Sequence, residues 1–160
     1  MTRLISERRQ SLRVLAVWRS IADGGFPRRA QIDPRLFGSD WANCLMVDVD
    51  PVIERSRIAF LGENLRDPTW PTFERQCIAE CPDGTLLQLA TRGVAELVAK
   101  RAPIGLGGPA LYYESPILYR SILLPISESG ITVDGVLGVV NFREVSADEM
   151  RIPDRFAMAQ

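Results

Sequence analysis

The stretch Leu118–Glu144, LYRSILLPISESGITVDGVLGVVNFRE, decides the fold. Two apolar runs, Ile122–Ile126 and Val136–Val140, flank a polar turn centred on Ser127–Gly130. A strand with one wet face alternates apolar and polar residues, whereas an unbroken apolar run is buried on both faces. The stretch therefore predicts an antiparallel hairpin with both strands in the interior of a sheet. Pro125 withdraws a ladder donor, which predicts a bulge or a strand end.

Working outward, residues 6–22 read as a helix. Val14, Val17, Trp18 and Ile21 fall at i, i+3, i+4 and i+7, one apolar stripe, with Ser6 as N-cap and Gly24-Gly25 as the stop. The stripe must be buried, on the body or against a second copy. Residues 26–42 form a connector with a helical turn over Arg35–Phe37. Cys44–Val49 and Arg57–Leu61 read as two strands of a hairpin. Gly62–Arg66 reads as a helical turn, and the prolines of Asp67–Thr72 exclude regular structure. Thr72 is expected to cap a helix over Phe73–Cys81, and a second helix is expected over Thr85–Arg101. Gly93 inside that helix marks close packing. Ala102–Pro109, APIGLGGP, reads as a glycine-rich loop and Ala110–Glu114 as a third strand. The sum is an α+β fold: a five-stranded antiparallel sheet with helices on one face, preceded by an N-terminal amphipathic helix. The divisions are residues 1–25, the N-terminal helix; 26–144, the sheet domain; and 145–160, a polar tail with a short amphipathic turn at Phe156–Met158.

Three segments carry a family resemblance: RAQIDPRLFGSDWANCLMVDVDP at 29–51, RIAFLGENL at 57–65 and YRSILLPISESGITVDGVLGVVNF at 119–142. Together with the element order they resemble the PAS domain, and in particular a bacterial family of small PAS-like proteins with a helix before the domain. Residues 66–110 match least well. The resemblance implies a sensory or regulatory module with a small ligand pocket, frequent dimerisation, and a signal passed through the N-terminal helix. No part of the chain resembles a kinase, cyclase or DNA-reading domain, so output is expected in a partner protein. The resemblance identifies no cofactor.

Composition narrows the chemistry. The chain has 160 residues, 46% of them apolar and 24% charged, which suits one globular domain. Histidine is absent, which excludes Ser-His-Asp and Cys-His catalysis and histidine-ligated zinc or haem. Residues 1–30 hold seven arginines against Glu7 and Asp23, a net of +5, so the rest carries −6. Such an arm can touch an anionic partner, but nucleic-acid footprints need a larger basic surface, and a solvated helix face explains it. The longest apolar runs are far short of the ~20 residues that span a bilayer, and no secretory leader is legible. Three cysteines, an odd number, fit free thiols in a reducing compartment, so a cytoplasmic location is expected.

Each remaining candidate has an ordinary explanation beside it. Cys77 and Cys81, four apart, would share one helix face as a redox pair or metal ligands; with only Cys44 left, buried free thiols are the simpler reading. Gly105, Gly107 and Gly108 suggest a phosphate loop but lack its lysine and strand-to-helix context. Asp48 and Asp50 would share a strand face, as solvated acids beside Pro51. Trp18, Trp41 and Trp70 are candidate interface anchors or core residues. Of Tyr112, Tyr113 and Tyr119, those facing inward need a hydrogen-bond partner. Phe60, Cys77, Leu89 and Tyr112 are candidate pocket residues. Val14, Val17, Trp18 and Ile21 are the expected contact with a second copy or a partner protein. The expectation is a non-catalytic sensor or adaptor, with a small-molecule enzyme using Cys77 or Cys81 as nucleophile, or a ligand-free interaction domain, as rivals.

Overall fold

The computed structural model describes residues 2–66, 75–146 and 148, with side chains from residue 9 onward. The chain forms α1 (Thr2–Ala22), β1 (Cys44–Asp48), β2 (Arg57–Leu61), α2 (Leu86–Thr91), α3 (Val94–Lys100), β3 (Ile104–Tyr112), β4 (Ser115–Ile126) and β5 (Gly135–Glu144). The strands make one antiparallel sheet in the order β2-β1-β5-β4-β3. This is the α+β architecture with a five-stranded antiparallel sheet that the sequence predicts. β4 and β5 are both interior strands, paired from Ile117 opposite Glu144 to Ile126 opposite Gly135.

Two cores explain the unbroken apolar runs. Leu123, Val136 and Val140 point to one face, where they meet Leu89 of α2 and Val94 and Leu97 of α3. Leu124, Leu137 and Val139 point to the other, where Val14 and Trp18 of α1 cover them. Alternation is lost because neither face meets water. Gly138 sits where the sheet is tightest: a Cβ there would lie 2.9 Å from Leu123 Cδ2 and 3.2 Å from Leu45 Cγ.

Several expectations are corrected. α1 begins at Thr2, not Ser6. The helix over Phe73–Cys81 is absent in its described part. Instead the Ile58 amide donates to the Gln76 carbonyl and the Arg75 amide to the Ile58 carbonyl, both at 2.9 Å, and Arg57 and Cys77 form a β-bridge. The open edge of β2 offers unpaired donors and acceptors, and this pairing outweighs helix propensity. Ile78–Glu80 is a single 3-10 turn. Thr72, Phe73 and Glu74 lie outside the described residues.

The second expected helix is split into α2 and α3. Thr85 caps α2, its Oγ1 accepting from the Gln88 amide at 3.2 Å. Gly93 does pack closely, for a Cβ would lie 3.1 Å from both Leu106 Cδ1 and Leu123 Cδ1. It also opens α3 rather than continuing α2.

The glycine-rich segment is not a loop but most of β3, paired with β4 from Ile104 opposite Leu123 to Tyr112 opposite Ser115. The expected strand end, Tyr113-Glu114, is the two-residue turn between them. Both turn residues have positive φ, 48° and 71°, as a tight hairpin requires. Pro125 makes no bulge: it stays in register opposite Val136, one residue from the end of β4. β3 begins at Ile104, opposite Leu123, so Pro125 lies past it and faces an open edge on that side, where no donor is needed. Phe156–Met158 and Trp70 lie outside the described residues.

Candidate functional site

The element expected to carry function is α1, and the structure shows how it is seated. Val14 and Trp18 are buried, 0% and 6% exposed, against the chain's own sheet. Trp18 Nε1 donates to the Pro125 carbonyl at 2.9 Å. A strand residue's N–H and C=O point to the same side. The proline's missing donor and its free carbonyl therefore both face the sheet edge, and the indole occupies that gap. Val17 and Ile21 are half-buried on the same seat.

The earlier turns of α1 are held by polar contacts. Arg13 Nε and Nη2 donate to Asp40 Oδ2 and Oδ1 at 2.8 and 2.7 Å, a bidentate pair. Asp40 is nearly buried, and the hydrogen-bonded guanidinium holds its carboxyl below the usual carboxylate range. The pair raises Arg13 in turn, chiefly through the same hydrogen bond. Gln10 Nε2 donates to Asp40 Oδ1 at 3.1 Å, while Gln10 Oε1 accepts from Asn141 Nδ2 of β5. Asn43 donates to the Val140 carbonyl at 3.1 Å and accepts from Asn64 at 3.0 Å. A polar clasp thus joins α1, the Gly38–Asn43 turn and β5. Asn141 Oδ1 is buried in it without a hydrogen-bond partner. Beside the clasp, a cavity of about 410 Å³ opens between α1 and the adjoining turn, lined by Arg13, Ala16, Val17, Leu36 and Phe37 among others. Sequence reading missed this clasp because Gln10, Arg13, Asp40 and Asn141 form no local motif.

The four candidate pocket residues do not converge. Leu89 and Tyr112 belong to the core under α2 and α3, with Tyr112 packed on Phe142 at 5.2 Å. Phe60 lies on the opposite face, stacked on Trp41 at 4.6 Å. Cys77 is half-buried on the β2 edge. It shares no helix face with Cys81, because no helix joins them. On the helical side, a cleft of about 310 Å³ is lined by Ile53, Ile78, Cys81, Gln88, Thr91 and Arg92 among others. Burial pushes the Cys81 thiol up to about 11 and that of Cys44 to about 12. Both are protonated at neutral pH, the wrong state for a nucleophile. Ser121 Oγ is buried on the same side of the sheet without a hydrogen-bond partner.

The other candidates separate. Asp48 pairs with Arg29, whereas Asp50 lies beyond β1 and caps the Val52 amide at 2.9 Å, so the two acids do not act together. Gly105, Gly107 and Gly108 are strand residues and build no phosphate loop. Tyr119 is buried in the helix-side core and Tyr113 is exposed. Among the described residues, no cluster of three or more acidic or cysteine side chains could hold a metal ion. Nor is any described helix long and apolar enough to cross a membrane.

No family model matches the chain, and no curated protein does. Among solved structures it is similar to the light state of the blue-light photoreceptor Aureochrome1 LOV, with TM-score 0.45 and 11% identity over 78% of this chain and 96% of that one. A light-oxygen-voltage domain studied with a flavin analogue gives TM-score 0.42 and 16% identity over 68% and 81%. A fungal LOV domain photoreceptor gives 0.39 and 13% over 71% and 81%.

Proposed function

We propose that this chain is a non-catalytic sensory or regulatory module of the PAS type, acting through α1 on a second copy or a partner protein. The observation that carries the reading is the seat of α1. One helix is fastened to β4 and β5 by an indole hydrogen bond, the second apolar core and a polar clasp. Such an attachment can open without unfolding the sheet, because the core under α2 and α3 does not include it. While α1 is seated, Val14 and Trp18 are committed to their own sheet, and contact falls to its outer surface, where Leu12 is 53% exposed. If α1 lifts, the whole stripe of Val14, Val17, Trp18 and Ile21 becomes available. A signal that shifts α1 between these states would change the partner surface.

The raised thiol of Cys81 counts against it as the nucleophile of the thiol-enzyme reading, which leaves half-buried Cys77 as that reading's candidate. A ligand-free interaction domain is the remaining rival. Native mass spectrometry of the gently purified chain and of Leu12→Glu tests the proposal. The expected result is a homodimer in the first and a monomer in the second. A monomer in both, without a bound small molecule, sinks the reading; a retained small molecule favours the sensor over the rival.

A further inference from the structure

A third concave site lies on the α1 side of the sheet, away from both α1 and the helical cleft. It is an open cleft of about 730 Å³ lined by Arg29, Asp48, Arg57, Ile58, Ala59 and Arg75. Its construction follows from the β2 edge. Asp48 and Arg57 are cross-strand partners, so their side chains share a face. The register between β1 and β2 shifts so that Met46 faces Phe60 and Val47 faces Ile58, which leaves Ala59 as the extra residue of a β-bulge. A small side chain therefore forms the floor where the strand bends. Arg75 is brought alongside by the short pairing of residues 75–77 with β2, and Arg57 Nη1 donates to its carbonyl. Arg29 arrives from the connector and pairs with Asp48.

Among the described residues, three arginines thus line one cleft with a single carboxylate, an excess of two positive charges. The volume is in the range of small-molecule sites. Arginine forks match phosphate oxygens in pairs, and a phosphate monoester carries about −1.5 to −2 at neutral pH. The Arg29–Asp48 pair is solvent-exposed, with side chains 43% and 58% accessible, so an anion can displace Asp48 at little cost. We propose that this cleft binds a small organic phosphate, with Arg57 and Arg75 as its anchors, Arg29 recruited from Asp48, and Asp48 as the competitor. This goes beyond the sensory reading and does not depend on it, since its test reads binding alone.

The experiment is calorimetric titration of the full chain with pyrophosphate, ADP, adenosine, citrate and a polyglutamate peptide at low salt. Pyrophosphate and ADP are expected to bind saturably, and adenosine is not. Arg57→Ala and Arg75→Gln should each weaken ADP binding by about tenfold, the loss of one charge-assisted contact. Asp48→Asn should tighten it, which a purely structural role for Asp48 would not produce. Arg75→Gln keeps the backbone contact through its carbonyl, so its unchanged melting curve guards against simple misfolding. Absence of saturable binding by both phosphate probes overturns the proposal. So does ADP affinity unchanged in both arginine variants, or unchanged or weakened in Asp48→Asn. Citrate as tight as pyrophosphate overturns the phosphate assignment, and binding of polyglutamate without ADP overturns it in favour of an acidic protein partner.

Discussion

Trp18 on α1 and Pro125 on β4 are 107 residues apart and joined by one buried hydrogen bond, indole N–H to carbonyl, at 2.9 Å. The proline and the tryptophan answer each other. A non-proline residue at 125 would present an N–H to the same gap, and a smaller residue at 18 would leave the carbonyl dry and unmatched.

Trp18→Phe keeps most of the apolar contact and removes only the donor. It is expected to destabilise the protein by about 1–3 kcal/mol, the cost of a buried acceptor left unsatisfied. If α1 opens without the strands, as proposed, hydrogen exchange should show the loss in α1 before them. Equal loss of protection in α1 and in β1 would show that the helix and sheet form a single cooperative unit, contrary to the proposed mechanism.

The Arg13–Asp40 pair makes the seat pH-dependent in a defined direction. Asp40 is held below its ordinary carboxylate range in the fold, chiefly by the hydrogen bond from Arg13. A depressed carboxyl stabilises the folded state above its unfolded pKa, and that contribution is lost as pH falls through the folded value. Stability should therefore decline with acidification below about pH 4, the ordinary carboxylate range. Asp40→Asn should be less stable than the parent at neutral pH and should show a flatter acid limb. Parallel acid limbs in the two proteins would remove Asp40 from the account. Arg13→Lys should keep only part of the pair's stability, because an ammonium cannot reproduce the two-point contact.

Glycine substitutions separate two kinds of position. A Cβ at Gly62 would lie 2.4 Å from the Ala42 carbonyl oxygen and 2.7 Å from that of Trp41, both backbone atoms. Gly105, on β3, meets nothing within 4 Å. Gly62→Ala should cost at least about 1–3 kcal/mol as overpacking, and Gly105→Ala should be neutral or slightly stabilising. Thermal denaturation of the pair decides it, and similar melting temperatures would contradict the packing around Trp41.

Much of the scaffold is legible in the sequence because it is local. Arg57–Leu61 is read residue for residue as a strand, and the hairpin of β4 and β5 follows from two apolar runs. What fails has non-local causes. Residues 75–77 pair with β2 because an open edge lies there, which no window around Cys77 contains. Tyr113-Glu114 turns at positive φ without glycine or asparagine, so β3 carries no turn signal and its glycines resemble a loop. The clasp at Gln10, Arg13, Asp40 and Asn141 comes from three separate segments, and so do the three arginines of the β2 cleft. Their grouping is a property of the sheet register, and single residues of those types are common on any surface.

The cysteines provide a last test, one that also bears on the thiol-enzyme rival. Cys44 lies under α1 and Cys81 in the helix-side core, and burial raises both thiols, to about 12 and about 11. Cys77 is the half-buried one, on the β2 edge. At mildly alkaline pH a thiol reagent should therefore label one cysteine per folded chain quickly, and all three only after denaturation. Cys77→Ser should abolish the fast phase and leave the melting curve nearly unchanged. Slow labelling of Cys77 as well would leave the thiol-enzyme rival without a nucleophile, whereas rapid labelling of Cys81 in the folded protein would contradict its burial in the helix-side core.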